Sequence, residues 1–299
     1  MDAGELPAAP VVATLEPPFD LRRGERPAGA PVSPLVFASP HSGRHYPTDM
    51  GASARLGEKA IRSSEDALVD QLIEAAPRRG CAVLAARYAR AYVDVNREPY
   101  ELDAGMFEDD LPEFARGRTA RVAAGLGSIA RLVAEGREIY DRKLTFAEAS
   151  RRIEAVHKPY HQALRRLLDE ARAANGAAVL IDWHSMPGAA GRGAGRRQMD
   201  MVLGDRFGTT CSPVLTDTVE RILVGMGYVV SRNAPYAGGY TTEVYGQPIE
   251  GVHALQIEIS RTLYLDEGSI RPKPGFSRLA GDLEQVFEAL AALDPRALR

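Results

Sequence analysis

Two histidines stand at the ends of two short apolar runs. Pro34-Leu35-Val36-Phe37-Ala38 passes into Ser39-Pro40-His41-Ser42-Gly43, and Val179-Leu180-Ile181 passes into Asp182-Trp183-His184-Ser185. Runs of this length, apolar throughout and bounded by turn residues, suit strands buried on both faces. Ligands of open α/β sheets bind in the crevice beyond the carboxyl ends of the strands. A histidine delivered there twice supplies two of the three protein ligands a catalytic zinc ion takes, the remaining position being kept for water. The third ligand is expected to be a carboxylate on the same rim. Ser63-Ser64-Glu65-Asp66 offers two, and either could turn inward. An aspartate opening a helix also satisfies free N–H groups, so Asp66 has a purely structural reading as well.

Other side chains fit the same chemistry. Asp182 lies two residues before His184 on the strand, hence on the same face, where a carboxylate can orient the imidazole. Gln256, Glu258 and Ser260 form one face of a strand whose other face is Leu255, Ile257 and Ile259. If that polar face looks into the cleft rather than solvent, Glu258 is placed to act as general base. Arg261 follows it and Arg97 ends the run Asp94-Val95-Asn96-Arg97; a guanidinium matches a substrate carboxylate in two-pronged fashion. His157 and His161 have i, i+4 spacing, yet the glutamate of a helical zinc motif is missing and Pro159 lies between them, so they read as mainly structural, with a place for His161 facing the cleft left open. The glycine-rich 188–195 stretch lacks a phosphate-binding pattern and reads as a loop, and no nucleophile elbow surrounds Ser42 or Ser185.

The elements that must hold these groups alternate. Strands are expected at 34–39, 81–85, 92–96, 178–183, 200–204, 228–231 and 255–260. Helices are expected over 66–79, twice within 119–174, and over 216–226 and 279–293. Loops fill 102–118 and 235–248. Such alternation predicts one α/β domain over residues 31–299, preceded by an extended Pro/Ala/Gly-rich arm over 1–30. The net charge of −3 over 299 residues gives no reason for a nucleic-acid or anionic-membrane partner. No apolar run approaches the roughly 18 residues of a membrane span. Asp2 and Glu5 argue against a secretory leader, and two cysteines are too few for a disulfide scaffold, so a cytoplasmic protein with reduced Cys81 and Cys211 is expected. Nothing in the sequence speaks to oligomeric state.

In order along the chain, these segments resemble the N-formylglutamate amidohydrolase family. The resemblance rests on Ser39-Pro40-His41-Ser42-Gly43, Asp66-Ala67-Leu68-Val69-Asp70, Tyr92-Val93-Asp94-Val95-Asn96-Arg97 and Asp182-Trp183-His184-Ser185. It continues through Asp200 to Gly208, Asn233 to Tyr240 and Gln256 to Arg261, covering residues 34–290. That family is similar in fold to zinc carboxypeptidases and aspartoacylase-like deacylases. The likeness implies a three-layer α/β/α body with a mixed, mostly parallel central sheet. It implies zinc, or another divalent ion, on His41, Asp66 and His184, with Glu258 as the base. Asn96 and Arg97 would hold a substrate carboxylate, and Arg261, Arg232 or Arg44 a second one. Zinc carboxypeptidases carry their carboxylate ligand three residues after the first histidine; Arg44 stands there, so the ligand must come from elsewhere. The implied reaction converts N-formyl-L-glutamate to formate and L-glutamate, in histidine degradation. Hydrolysis of another N-acyl amino acid or small peptide is the near alternative, and a metal-binding protein without turnover the distant one.

Overall fold

In the computed structural model, residues 17–115, 117, 119–133, 136–188, 190 and 198–298 are described. Their centre is a seven-stranded sheet. The strands are β1 (Phe19–Arg22), β2 (Leu35–Ser39), β3 (Ala82–Ala86), β4 (Ala178–Met186), β5 (Met201–Gly204), β6 (Val230–Arg232) and β7 (Val252–Ser260). Their spatial order is β1-β3-β2-β4-β7-β5-β6. The inner block β3-β2-β4-β7 is parallel. One edge is closed by β1, antiparallel to β3; at the other, β5 and β6 run parallel to each other and antiparallel to β7. The sheet is therefore mixed and mostly parallel, as expected.

Strand alternation sorts side chains into two cores. Val36, Leu84, Leu180 and Ala254 pack with Tyr160, Leu164 and Leu168 of helix α1 (Lys158–Asn175). Leu35, Phe37, Ile181, Trp183 and Ile257 pack on the opposite face. They meet Leu215 and Val219 of α2 (Pro213–Gly225) and Leu283 and Phe287 of α4 (Gly275–Ala291). Helices thus cover both faces of the sheet. Trp183 sits edge-on to Phe37 and Phe287, with ring centroids 5.5 and 5.8 Å apart, so truncating it would cost about 3–5 kcal/mol. Cys81 and Cys211 are free and buried, and burial pushes both thiols up to about 12, so neither is a nucleophile at neutral pH. No helix among the described residues is long and apolar enough to cross a membrane.

Several segments differ from their sequence reading. Tyr92–Asn96 is not a strand. Its polar backbone is satisfied locally: the Asn96 N–H donates to Asp94 Oδ1 (2.8 Å) and the Asp94 N–H to the Ser128 carbonyl (2.8 Å), leaving no ladder to join. The helix expected over 66–79 is only a turn at Val69–Leu72 and a 3₁₀ turn at Ala76–Arg79, because Pro77 brings no N–H to continue it. Residues 119–174 hold two helices as expected, but very unequal ones. A short one at Ala120–Ala123 is followed by a small hairpin pairing Leu132–Val133 with Arg137–Glu138, where Gly136 takes φ +71°. A single helical run then extends from Phe146 to Asn175. Its turn Ile153–His157 is π-helical, next to Pro159, whose missing N–H breaks the regular ladder. The loop expected over 235–248 contains helix α3 (Tyr240–Tyr245), and Thr242 Oγ1 donates to the Gly239 carbonyl at its start. Of the glycine-rich 188–195 loop, 189 and 191–195 lie outside the described residues. The N-terminal arm, where described, lies on the body and contributes β1 as an edge strand.

Candidate metal centre and its cavity

β2 and β4 are neighbours in the parallel block, so their carboxyl ends bring His41 and His184 together. The chain leaves β2 through Gly43, where a Cβ would lie 2.1 Å from the Tyr88 carbonyl oxygen; only glycine allows that approach. The Asp66 N–H donates to the His41 carbonyl (2.9 Å), carrying the third group to the same rim. The two Nδ1 atoms lie 3.1 Å apart, and Asp66 Oδ2 lies 3.0 Å from Nδ1 of His184 and 3.3 Å from Nδ1 of His41. All three residues are buried.

The far side of each imidazole is also held. His41 Nε2 donates to Asp94 Oδ1 (2.7 Å) and His184 Nε2 to Asp182 Oδ2 (3.0 Å). With both Nε2 protons committed, each Nδ1 is left with its lone pair facing the Asp66 oxygen. Three acceptors packed together call for a cation between them. Their spacing is close to the roughly 3.3 Å separating ligands of a tetrahedral ion with bonds of about 2.0–2.1 Å. The donor set therefore fits a divalent metal. The same cluster also attracts protons, which take the place a cation would fill. Burial disfavours the charged forms, yet hydrogen bonds from His184 and His41 hold Asp66 well below the usual carboxylate range. Burial likewise opposes the His184 cation, but Asp182 and Asp66 hold that imidazole well above its ordinary value. For Asp94, burial is overcome by Arg90 and His41.

Glu65 is turned away from this cluster, accepting from Tyr46 Oη (2.7 Å) and Arg62 Nε (3.0 Å). Asp66 is fixed through its other oxygen: Oδ1 accepts from Ser185 Oγ (3.1 Å) and Arg261 Nη2 (3.2 Å). Beside the cluster, β7 sets Glu258 directly across from His184. The polar face of β7 does look into the cleft: Gln256 and Glu258 line the same cavity of about 730 Å³ as His41, Asp66 and His184. Gln256 Nε2 donates to Glu258 Oε1 (3.0 Å) while its own Oε1 accepts from the Gly239 N–H (2.8 Å). Burial pushes Glu258 up to about 7, against the pull of His184 and with Asp66 adding to the rise.

The remaining expected residues divide. Asn96 and Arg97 line the cavity. Both ends of the Asn96 amide are engaged: Oδ1 accepts from the Thr241 N–H (2.8 Å), and Nδ2 lies 3.1 Å from His184 Nε2 and 3.5 Å from Asp182 Oδ2. Gly239 packs on it so closely that a Cβ would come within 2.5 Å. Arg261 also lines the cavity, but its guanidinium is buried on protein acceptors: Ser185 Oγ (3.0 Å), the Ser63 carbonyl (3.1 Å), the Glu65 carbonyl (2.6 Å) and Asp66. Arg232 is not brought to the cavity. It pairs with Asp217 (2.7 Å) and Glu220 on α2, because β6 is the far edge of the sheet. Arg44 pairs with Asp70 at the surface (3.0 Å).

Sequence reasoning overlooked Arg90, whose Nη2 donates to Asp94 Oδ2 (2.7 Å), and the role of Asp94 itself; the i, i+4 spacing of the pair was the available signal. Arg121 and Tyr236, which also line the cavity, carried none. His157 and His161 are structural and do not reach the cavity. Their Nε2 atoms donate to the Arg97 (2.8 Å) and Val95 (2.7 Å) carbonyls, tying down the segment that carries Asp94 and Asn96.

Comparisons with known proteins agree with this architecture. The family model for N-formylglutamate amidohydrolase matches residues 33–265. An N-formylglutamate deformylase from Pseudomonas putida is 30% identical over 237 residues, 78% of this chain and 82% of that protein. A crystal structure of N-formylglutamate amidohydrolase from Ralstonia eutropha JMP134 superposes with a TM-score of 0.87 at 40% identity, covering 94% of this chain and 99% of that one. A gene product of Agrobacterium tumefaciens, 20% identical, shares the fold with a TM-score of 0.62 over 92% of this chain and 95% of its own. The match spans every strand of the inner parallel block and every residue of the His41/Asp66/His184 cluster, and the chain belongs to the N-formylglutamate amidohydrolase family.

Proposed function

We propose that the protein hydrolyses N-formyl-L-glutamate to formate and L-glutamate in a reaction that depends on a divalent metal, zinc in the first instance. The observation that carries this reading is the sharing of one cavity by the His41/Asp66/His184 cluster and Glu258, set across adjacent strands from His184. The names of the relatives support the substrate. His41, Asp66 and His184 would hold the metal, which when bound supplies Lewis acidity toward the formyl oxygen and acidifies water toward a pKa of about 7. Asp94 and Asp182 fix the imidazoles, and Arg261 with Ser185 fixes the Asp66 carboxylate. Glu258 takes a proton from the attacking water and delivers it to the departing amine nitrogen, so that a neutral amine rather than an amide anion leaves. Burial that raises its pKa makes it both a competent base and a competent acid near neutrality. Arg97 offers a guanidinium to a substrate carboxylate. A cytoplasmic location and a place in histidine degradation belong to the same proposal.

The test is formate release from N-formyl-L-glutamate by protein stripped of metal and reloaded with zinc, alongside N-acetyl- and N-succinyl-L-glutamate as competitors. Formate release faster than acyl release from the other two is expected, and its loss on chelation. Absence of formate from folded, zinc-loaded protein overturns the proposal.

A further inference from the structure

Among the described residues, five arginines line the cavity: Arg90, Arg97, Arg121, Arg206 and Arg261. Three already carry carboxylates. Arg90 pairs with Asp94 (2.7 Å), Arg206 with Glu243 (3.2 Å) and Arg261 with Asp66 (3.2 Å). Neither Arg97 nor Arg121 is in ion-pair contact with a carboxylate among the described residues. The two are tied together through backbone. Arg97 Nε donates to the Leu126 carbonyl (3.0 Å), and the Leu126 N–H donates in turn to the Arg121 carbonyl (2.8 Å). Arg97 Nη1 is committed to the Asn96 carbonyl (2.8 Å), and the residue lines the cavity. Burial pushes the Arg97 guanidinium below its ordinary value; Asp94 opposes the fall, and the positive charges of Arg90 and Arg121 add to it. Two cations that line one cavity and feel each other's charge favour an anion between them.

We propose that Arg121 and Arg97 form a two-cation clamp for a dicarboxylic substrate, Arg97 taking the α-carboxylate and Arg121 the side-chain carboxylate. Arg97 is three residues from Asp94, and so close to the metal ligands. Arg121 reaches the same cavity from the short Ala120–Ala123 helix, a separate segment, and so offers a second cation to the far end of a dicarboxylic substrate. Ala124 and Leu126 line the wall next to it and suit the intervening methylenes. The clamp makes the site selective for N-acyl derivatives of acidic amino acids over neutral ones. This rests on the amidohydrolase reading above.

The experiment compares wild type with Arg121→Gln on N-formyl-L-glutamate and on N-formyl-L-glutamine, which differs only in the side-chain charge. A charge-assisted contact predicts a fall in kcat/KM of about 10- to 100-fold on the first substrate. On the second, a change within about threefold is expected, as for a half-exposed position. Arg121→Lys should recover part of the loss, keeping the charge without the fork. Equal losses on both substrates, or no loss on either, overturn the proposal. Glutarate binding by calorimetry to the same two proteins needs no turnover. If wild type releases no formate yet binds glutarate at least tenfold tighter than Arg121→Gln, the amidohydrolase reading falls and the clamp stands. If glutarate binds both proteins alike, the clamp falls whatever the turnover.

Discussion

Arg261 separates two accounts of the site. Its place after Glu258 suggests a residue that binds substrate, whereas its contacts are those of a residue that positions Asp66. Four acceptors surround the guanidinium: Ser185 Oγ, the Ser63 and Glu65 carbonyls, and Asp66 Oδ1. Replacing Arg261 by Gln leaves most of them without a donor in a buried setting, at about 1–3 kcal/mol each where water cannot enter. The cavity admits water on one side, so the sum is capped near the 3–5 kcal/mol typical of breaking a buried ion pair. Stability should fall by that amount in urea titrations.

Metal affinity should fall with it. Asp66 Oδ2 is aimed between the two Nδ1 atoms only because Oδ1 is pinned by Arg261 and Ser185. A carboxylate freed to rotate loses that aim, and loss of such an orienting partner typically costs 10- to 100-fold in metal affinity. The assay is competition with a chromogenic chelator on Arg261→Gln, together with KM measured at saturating metal. Weaker zinc binding with an unchanged KM for N-formyl-L-glutamate is expected. A variant that keeps its zinc affinity and stability while KM rises on N-formyl-L-glutamate alone would refute the positioning argument and restore a substrate contact.

Glu258→Gln should retain zinc at full stoichiometry and lose about 10²- to 10⁴-fold in kcat, the usual contribution of a general base; wild-type-like turnover removes Glu258 from the mechanism. Asp182→Asn keeps the shape of the site but removes the negative charge that faces His184 Nε2, so zinc affinity should drop about 10- to 100-fold by chelator competition, and undiminished affinity would show that the charge is idle. His161 carries a pH dependence of known sign. Burial, and then the neighbouring His157, push its pKa down to about 3, while the unfolded chain titrates near 6.5. Between those values the unfolded state binds more protons, so stability is fully present above about pH 6.5 and is lost as pH falls toward 3, by about 2 kcal/mol at pH 5. Urea titrations at pH 7.5 and 5.0 should show that this share disappears in His161→Gln; an unchanged pH dependence refutes the assignment.

What the sequence discloses depends on how local the cause is. β2, β4 and β7 are legible because apolar runs that end in polar chemistry have few other physical solutions, and their adjacency places His41, His184 and Glu258 together. The choice between Glu65 and Asp66 is not local. It is made by Tyr46 and Arg62, which claim Glu65, and by Arg261, which turns Asp66 inward from 195 residues away. Arg232 misleads for the same reason: its strand has the right pattern, but the edge position of β6 is a property of the whole sheet. Tyr92–Asn96 alternates like a strand because its valines are buried, while its polar atoms bond to side chains that no periodicity reveals.

That last segment shows why the site needs so much scaffolding beyond the sheet. A strand would point Asp94 and Asn96 along one face; the irregular chain sends them to different partners, Asp94 to His41 and Asn96 toward Asp182 and the start of α3. Irregular backbone in a buried place must have its carbonyls answered. His161 and His157 do this, donating to the Val95 and Arg97 carbonyls from α1 and from the π-helical turn before it. Two histidines spaced like metal ligands thus serve as hydrogen-bond donors. They hold the segment that holds Asp94, and Asp94 holds His41. The pinning of a metal ligand is carried through three such links from a helix outside the cavity. A neutral His161 is therefore as much a condition for an ordered metal site as for stability, and the acid sensitivity argued above should appear in zinc release at the pH where unfolding begins.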